Sequence, residues 1–237
     1  MWAFLLMVAA WFVYTAMQQS PGHPRIASSA SGAVARARRL LREDSDGFVA
    51  GFTSADLVAR GALTCEDYCA RAANAIRDLG SDERMAVNTA LNSLPATLRE
   101  VAHDVVLVTD GGYEGGMPHT RGRFVFLPER LVDGDQALGL RSTLGHELVH
   151  VEQRASPARA RAWAEAHGYA LAPAAPLTAL VRANPDLDGR AWTFRGQPVG
   201  FVYASDQPRD LRDGSVVGSS GYEHPHEHQA YEFLARA

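Results

Sequence analysis

Residues 142–153 read STLGHELVHVEQ, and inside that run His146-Glu147-Leu148-Val149-His150 has the form H-E-x-x-H. On an α-helix, side chains four apart stand one turn above each other on the same face, so two imidazoles at this spacing can reach one metal ion. Glu147 lies about 100° further round the helix, beside that ion and not on it, where a carboxylate can take a proton from a zinc-activated water. Leu148 and Val149 point the other way, toward a core.

In a chain with 9 histidines a chance match to this pattern has a probability on the order of a few per cent, so its surroundings decide its value. Working outward, Leu138, Leu140, Leu144, Leu148 and Val151 recur at helical spacing, and Asp133 or Asp135 offers an N-cap. The pattern predicts a helix over about residues 136–154, closed by Ser156-Pro157. The pentad therefore sits on a helix, as its chemistry requires.

A catalytic zinc site has three protein ligands and one position open to water. The best third candidate is Glu227, in the C-terminal run YEHPHEHQAYEFLA, where Pro225 can open a helix that places Glu227, Ala230, Tyr231 and Leu234 on one side. His224, His226 and His228 surround it, and each is an alternative ligand. Gln153, one turn after His150, is placed either to support the site or to face solvent.

H-E-x-x-H followed far downstream by E-x-x-A resembles the gluzincin metallopeptidases. The resemblance covers two short helices and their order. It implies His146, His150 and Glu227 as ligands of a zinc ion, Zn2+, with Glu147 as general base and a protein or peptide as substrate. Many gluzincins carry Asp directly after the E-x-x-A alanine, whereas this chain has Tyr231. Its phenol is a candidate to bond a ligand, to donate to the substrate oxyanion, or simply to pack. The competing function is a non-catalytic zinc-binding module, tethered to a membrane and retained for partner binding.

The chain of 237 residues, 46% hydrophobic and 21% charged, is long enough to bury a substantial core. A formal net charge of −4 leaves no basic surface for nucleic acid. All 23 basic residues are arginine, a bias that carries no functional reading.

Residues 1–17, MWAFLLMVAAWFVYTAM, are uncharged and almost wholly apolar. As a helix they span roughly 25 Å, at the short end of what crosses a bilayer. No basic residue precedes them, and cutting after Ala16 would put Tyr14 where a signal peptidase needs a small residue, so an uncleaved single-pass anchor is preferred to secretion. The arginines that follow, from Arg25 to Arg42, would keep the domain cytosolic. Residues 18–46 read as a tether with a short helix available at 33–43, and residues 47–237 as the catalytic domain.

The predicted class is α+β: a mostly helical, zincin-like domain with a small sheet before the active helix, plus the N-terminal membrane helix. Thr64 with Asp67 and Ser81 with Glu83 mark helix starts, and a shorter helix follows Pro95. Val105–Val108 and Arg123–Leu127 read as strands. The family plan implies that Phe124–Leu127 is an edge strand to which an extended substrate adds. Further helices are expected at Ala158–His167 and Leu177–Ala183. A hairpin pairs Trp192–Phe194 with Val199–Tyr203 about the turn Arg195-Gly196-Gln197-Pro198, its aromatics read first as core. Cys65 and Cys69, on successive turns of one helix, are read as free thiols.

Overall fold

The computed structural model describes residues 32–109, 113–133, 137–172 and 180–236. Among them are eight α-helices and two four-stranded sheets, an α+β architecture. The expected membrane segment and most of the expected tether lie outside the described residues. No helix among the described residues is long and apolar enough to cross a membrane.

The first sheet decides where everything else goes. Its strands are β1 (Ile76–Arg77), β2 (Asp104–Val108), β3 (His119–Arg121) and β4 (Phe124–Pro128), in the order β1-β2-β4-β3. Strands β2 and β4 run parallel, with Val105 opposite Val125 and Leu107 opposite Leu127, while the outer pairs are antiparallel. Successive side chains of a strand leave on opposite faces. Val106, Val108, Phe124 and Phe126 accordingly enter one core, and Leu107, Val125 and Leu127 enter another. Burial on both faces is why these strands read as unbroken apolar runs.

On the first face lie α1 (Ala33–Glu43) and α3 (Cys65–Asn74); Val34, Ala37 and Leu41 of α1 pack with Tyr68, Ala72 and Ala73 of α3. The short α2 (Ser54–Ala59) stands between them in sequence, closed at its start by a capping box between Thr53 and Asp56. This overturns the tether boundary at residue 46. Leu41 is fully buried, and the carboxylates of Asp44 and Asp46 pair with the guanidinium of Arg121, itself buried in β3. Chain that reads as a linker by composition is core by position.

On the second face lie α4 (Ser81–Asn92), α5 (Ala96–Arg99) and α6 (Ala137–Ala155). Helix α6 carries the pentad. Leu140, Leu144, Leu148, Val149 and Val151 are all buried against Leu107, Val125 and Leu127, each contributing roughly 1.5–3 kcal/mol. The polar face of α6 is thereby turned away from the sheet. Of the two expected N-caps, Asp135 lies outside the described residues, and Asp133 borders the same stretch, 134–136.

After α6, Pro157 opens α7 (Pro157–Ala166), and the second sheet follows: β5 (Tyr169–Leu171), β6 (Trp192–Phe194), β7 (Gln197–Tyr203) and β8 (Gly214–Val217), all antiparallel. The hairpin turns through Arg195 and Gly196, both at positive φ. Its aromatics are core: Trp192 packs with Ala164, Tyr169 and Val199. No helix forms over residues 180–183; Val181 instead bridges Val202, extending the sheet edge. Cys65 and Cys69 are free thiols. The last helix, α8 (Pro225–Arg236), lies across α6, with Ala230 in the core beneath the pentad.

Candidate metal centre

The crossing of α6 and α8 brings three donors together. Nε2 of His146 lies 3.0 Å from Nε2 of His150 and 3.3 Å from Oε2 of Glu227, and Nε2 of His150 lies 3.6 Å from Oε1 of Glu227. A cation held tetrahedrally at about 2.0–2.1 Å from its ligands spaces them about 3.3–3.4 Å apart. The observed separations, of which the two to Glu227 end on different oxygens of its carboxylate, bracket that spacing.

Two of the donors are held in the protonation states a metal needs. Burial keeps the His150 imidazole neutral in spite of the neighbouring Glu227 carboxylate. Burial opposes ionisation of Glu227, but the two imidazoles outweigh it and hold the carboxyl down to about 2. Neutral imidazole and ionised carboxylate are the forms that bind a metal.

Gln153 sets the tautomer. Its amide nitrogen donates to the His226 carbonyl and to Oε1 of Gln229, each at 3.0 Å. Its oxygen therefore accepts from Nδ1–H of His150, 2.8 Å away. His150 is left with a lone pair on Nε2, turned toward the other donors.

Two of the three neighbouring histidines have their side chains engaged elsewhere, whereas Nδ1 of the buried His226 ring has no hydrogen-bond partner among the described residues. His224 pairs with Asp188 at 3.1 Å, the backbone N–H of His226 donates to Nδ1 of His224, and His228 meets the Tyr169 hydroxyl while stacking on Tyr222. Tyr231, one turn after Glu227, packs its ring edgewise on His146 with centroids 4.7 Å apart and remains half exposed.

Glu147 is buried, and its Oε2 has no hydrogen-bond partner among the described residues. Burial, together with the carboxylates of Asp186 and Glu227, pushes its carboxyl well above the usual range; the Arg154 guanidinium opposes them. With His146, Glu227 and Tyr231 it lines a cleft of about 420 Å³. The opposite wall comes from two stretches, Met117–His119 and Arg182–Asp186.

That wall is held by charged groups the sequence did not mark. Arg60 joins Glu114 at 2.8 Å and Asp56 at 3.1 Å, and Arg182 joins Glu223 at 2.7 Å. Glu114 sits at φ 46, a conformation uncommon outside glycine, and Gly115 and Gly116 follow it at positive φ. Burial would raise its carboxyl, but Arg60 prevails and holds it low. Arg154, one turn beyond His150, reaches the Thr120 hydroxyl and the carbonyls of Gly122 and Pro185. Except for Asp56 and Arg60, which are four residues apart, these partners are tens of residues apart in sequence, so no local motif could have announced them.

The structure corrects one implication of the family resemblance. Phe124–Leu127 is an inner strand, flanked by β2 and β3 and wholly buried. The sheet edge that borders the cleft is β3, His119–Arg121.

The chain matches no protein-family model, no curated protein and no solved structure.

Proposed function

We propose that this chain is a zinc-dependent metallopeptidase of gluzincin type, hydrolysing peptide bonds in the cleft beside α6. The observation that carries the reading is the convergence of His146, His150 and Glu227, with the two imidazole nitrogens 3.0 Å apart and 3.3 and 3.6 Å from different oxygens of the Glu227 carboxylate, in a cleft shared with the buried Glu147. Two imidazoles and one carboxylate are the donor set of a catalytic zinc site, which leaves a vertex for water or substrate.

A bound zinc ion would supply Lewis acidity, making water a better nucleophile and a carbonyl a better electrophile. His146, His150 and Glu227 hold the ion, and Gln153 keeps His150 aimed at it. In its ionised form Glu147 takes the proton of the attacking water and, its burial favouring the protonated carboxyl, delivers that proton to the leaving amine. Tyr231, on the rim of the cleft beside His146, is placed to donate to the oxyanion.

The test is a matched pair of measurements on the full chain. The wild type should carry about one zinc per chain and cleave peptides; Glu147→Gln should carry the same zinc and lose cleavage by about a thousandfold or more. Undiminished cleavage by Glu147→Gln would remove the base from the mechanism. Wild-type chain without stoichiometric zinc would remove the mechanism itself.

A further inference from the structure

An extended substrate gains main-chain hydrogen bonds by adding a strand to an open sheet edge. The edge beside this cleft is β3, and its backbone donors are already spoken for. In an antiparallel pair alternate residues direct their N–H and C=O groups to the neighbour, and the residues between them direct theirs outward. Thr120 is an outward residue: its N–H donates to Oδ1 of Asp186 at 2.7 Å, and its hydroxyl donates to the same oxygen at 2.7 Å. Two residues earlier the outward position is Pro118, which has no N–H. Two residues later the carbonyl of Gly122 accepts from Nε of Arg154 at 3.0 Å.

The stretch that covers this edge is fixed at both ends. Ala183 donates its N–H to Asp56 at 2.9 Å, and its carbonyl accepts from Arg60 at 2.8 Å. The N–H of Asp186 is held by the Asn184 side chain at 2.9 Å, and the Pro185 carbonyl accepts from Arg154 at 3.3 Å. Asp186 is buried, so the seal is part of the folded core and not a surface contact. The remaining space, about 420 Å³, is at the lower end of what encloses a small molecule.

We infer that the site takes short peptides, or the free end of a longer one, gripped by side chains within the cleft, and rejects internal stretches of extended polypeptide. This substrate class rests on the peptidase reading above. With the outward N–H of Thr120 and the carbonyl of Gly122 already bonded, the edge cannot offer the full main-chain ladder that lets an endopeptidase accept a long chain irrespective of sequence, and the covering stretch stands where such a chain would lie.

Two probes separate the possibilities on the full, zinc-loaded chain: a pool of randomised tripeptides with free ends, and a pool of dodecapeptides with the same randomised centre, acetylated and amidated. Cleavage should favour the tripeptides by about a hundredfold or more in kcat/KM. The same pools are offered to Glu147→Gln, and retained peptide is counted by mass spectrometry; tripeptides should be retained at least about tenfold better. Equal or faster cleavage of the blocked dodecapeptides, or equal retention, overturns the inference while leaving the peptidase reading intact. Selective retention of tripeptides without hydrolysis by the wild type keeps the inference about the cleft and defeats the peptidase reading. Neither retention nor cleavage of tripeptides overturns it as well.

Discussion

The side-chain oxygen of Gln153 stands 2.8 Å from Nδ1 of His150, and the same amide reaches across to the His226 carbonyl of α8. One side chain thus orients His150 on the first helix and ties it to the helix that carries Glu227, the two being ligands in the proposed reading. Replacing Gln153 by Ala should weaken zinc binding about 10–100-fold, the usual effect of deleting a partner that orients a ligand. It should also cost about 1–3 kcal/mol of stability, because buried polar groups lose their partners. Chelator competition measures the first and denaturant unfolding the second. Unchanged zinc affinity would mean that His150 is oriented by packing alone.

Glu223, His224, His226 and Glu227 all sit within five residues, yet of these only Glu227 joins the cluster with His146 and His150. Glu227→Ala should abolish stoichiometric zinc. His228→Ala should retain it, since that ring stacks on Tyr222 and meets the Tyr169 hydroxyl. Metal analysis of the two variants after gel filtration decides the matter, and loss of zinc in His228→Ala with retention in Glu227→Ala would reassign the third ligand.

Helix α1 is joined to the domain through Leu41, which is fully buried among α3 and the first sheet. Leu41→Ala should destabilise the fold by about 2–5 kcal/mol, the range for emptying a buried leucine site. Urea unfolding followed by circular dichroism reads it directly. A change below about 0.5 kcal/mol, the size typical of surface substitutions, would return this helix to the tether.

What the sequence disclosed follows from which forces leave a local trace. The helix bearing His146 and His150 was legible because its leucines recur at the helical period, and β2 and β4 because both faces of each are buried. The hairpin from Trp192 to Tyr203 announced itself through its turn. By contrast β3 reads His119-Thr120-Arg121, three polar residues with no apolar pattern, and is buried all the same. His119 stacks on Phe126, Thr120 bonds Asp186, and Arg121 pairs with Asp44 and Asp46. Each of those partners except Phe126 is more than sixty residues away. Helix α1 was obscured for a related reason: its arginines dominate the composition, while its buried stripe of Val34, Ala37 and Leu41 is thin and partly alanine. Within the site, residues set by helical spacing could be named, whereas Asp186 owes its place, and Arg154 its partners Thr120, Gly122 and Pro185, to tertiary contacts.

Arg77 gives a test of stability against pH, remote from the candidate metal centre. Its Nη1 and Nη2 donate to the two oxygens of Glu83 at 2.8 and 2.6 Å, and its Nε donates to Glu129 at 2.6 Å. Glu83 also accepts from the Gly80 N–H at the start of α4. The bonds from Arg77, aided by that N–H, outweigh the effect of partial burial and hold the Glu83 carboxyl down to about 2. In the unfolded chain a glutamate titrates near 4.3. The folded value is the lower one, so the unfolded chain binds the extra proton, and stability falls as pH falls between those values. The contribution is complete above about pH 5 and vanishes toward pH 2. Glu83→Gln removes the titrating group, so the gap in Tm between wild type and variant should be widest near pH 6 and shrink steadily on acidification. Thermal unfolding from pH 6 to pH 2 at low salt measures it; a gap that stays constant across that range would show that the Arg77 pair carries no charge-dependent stability.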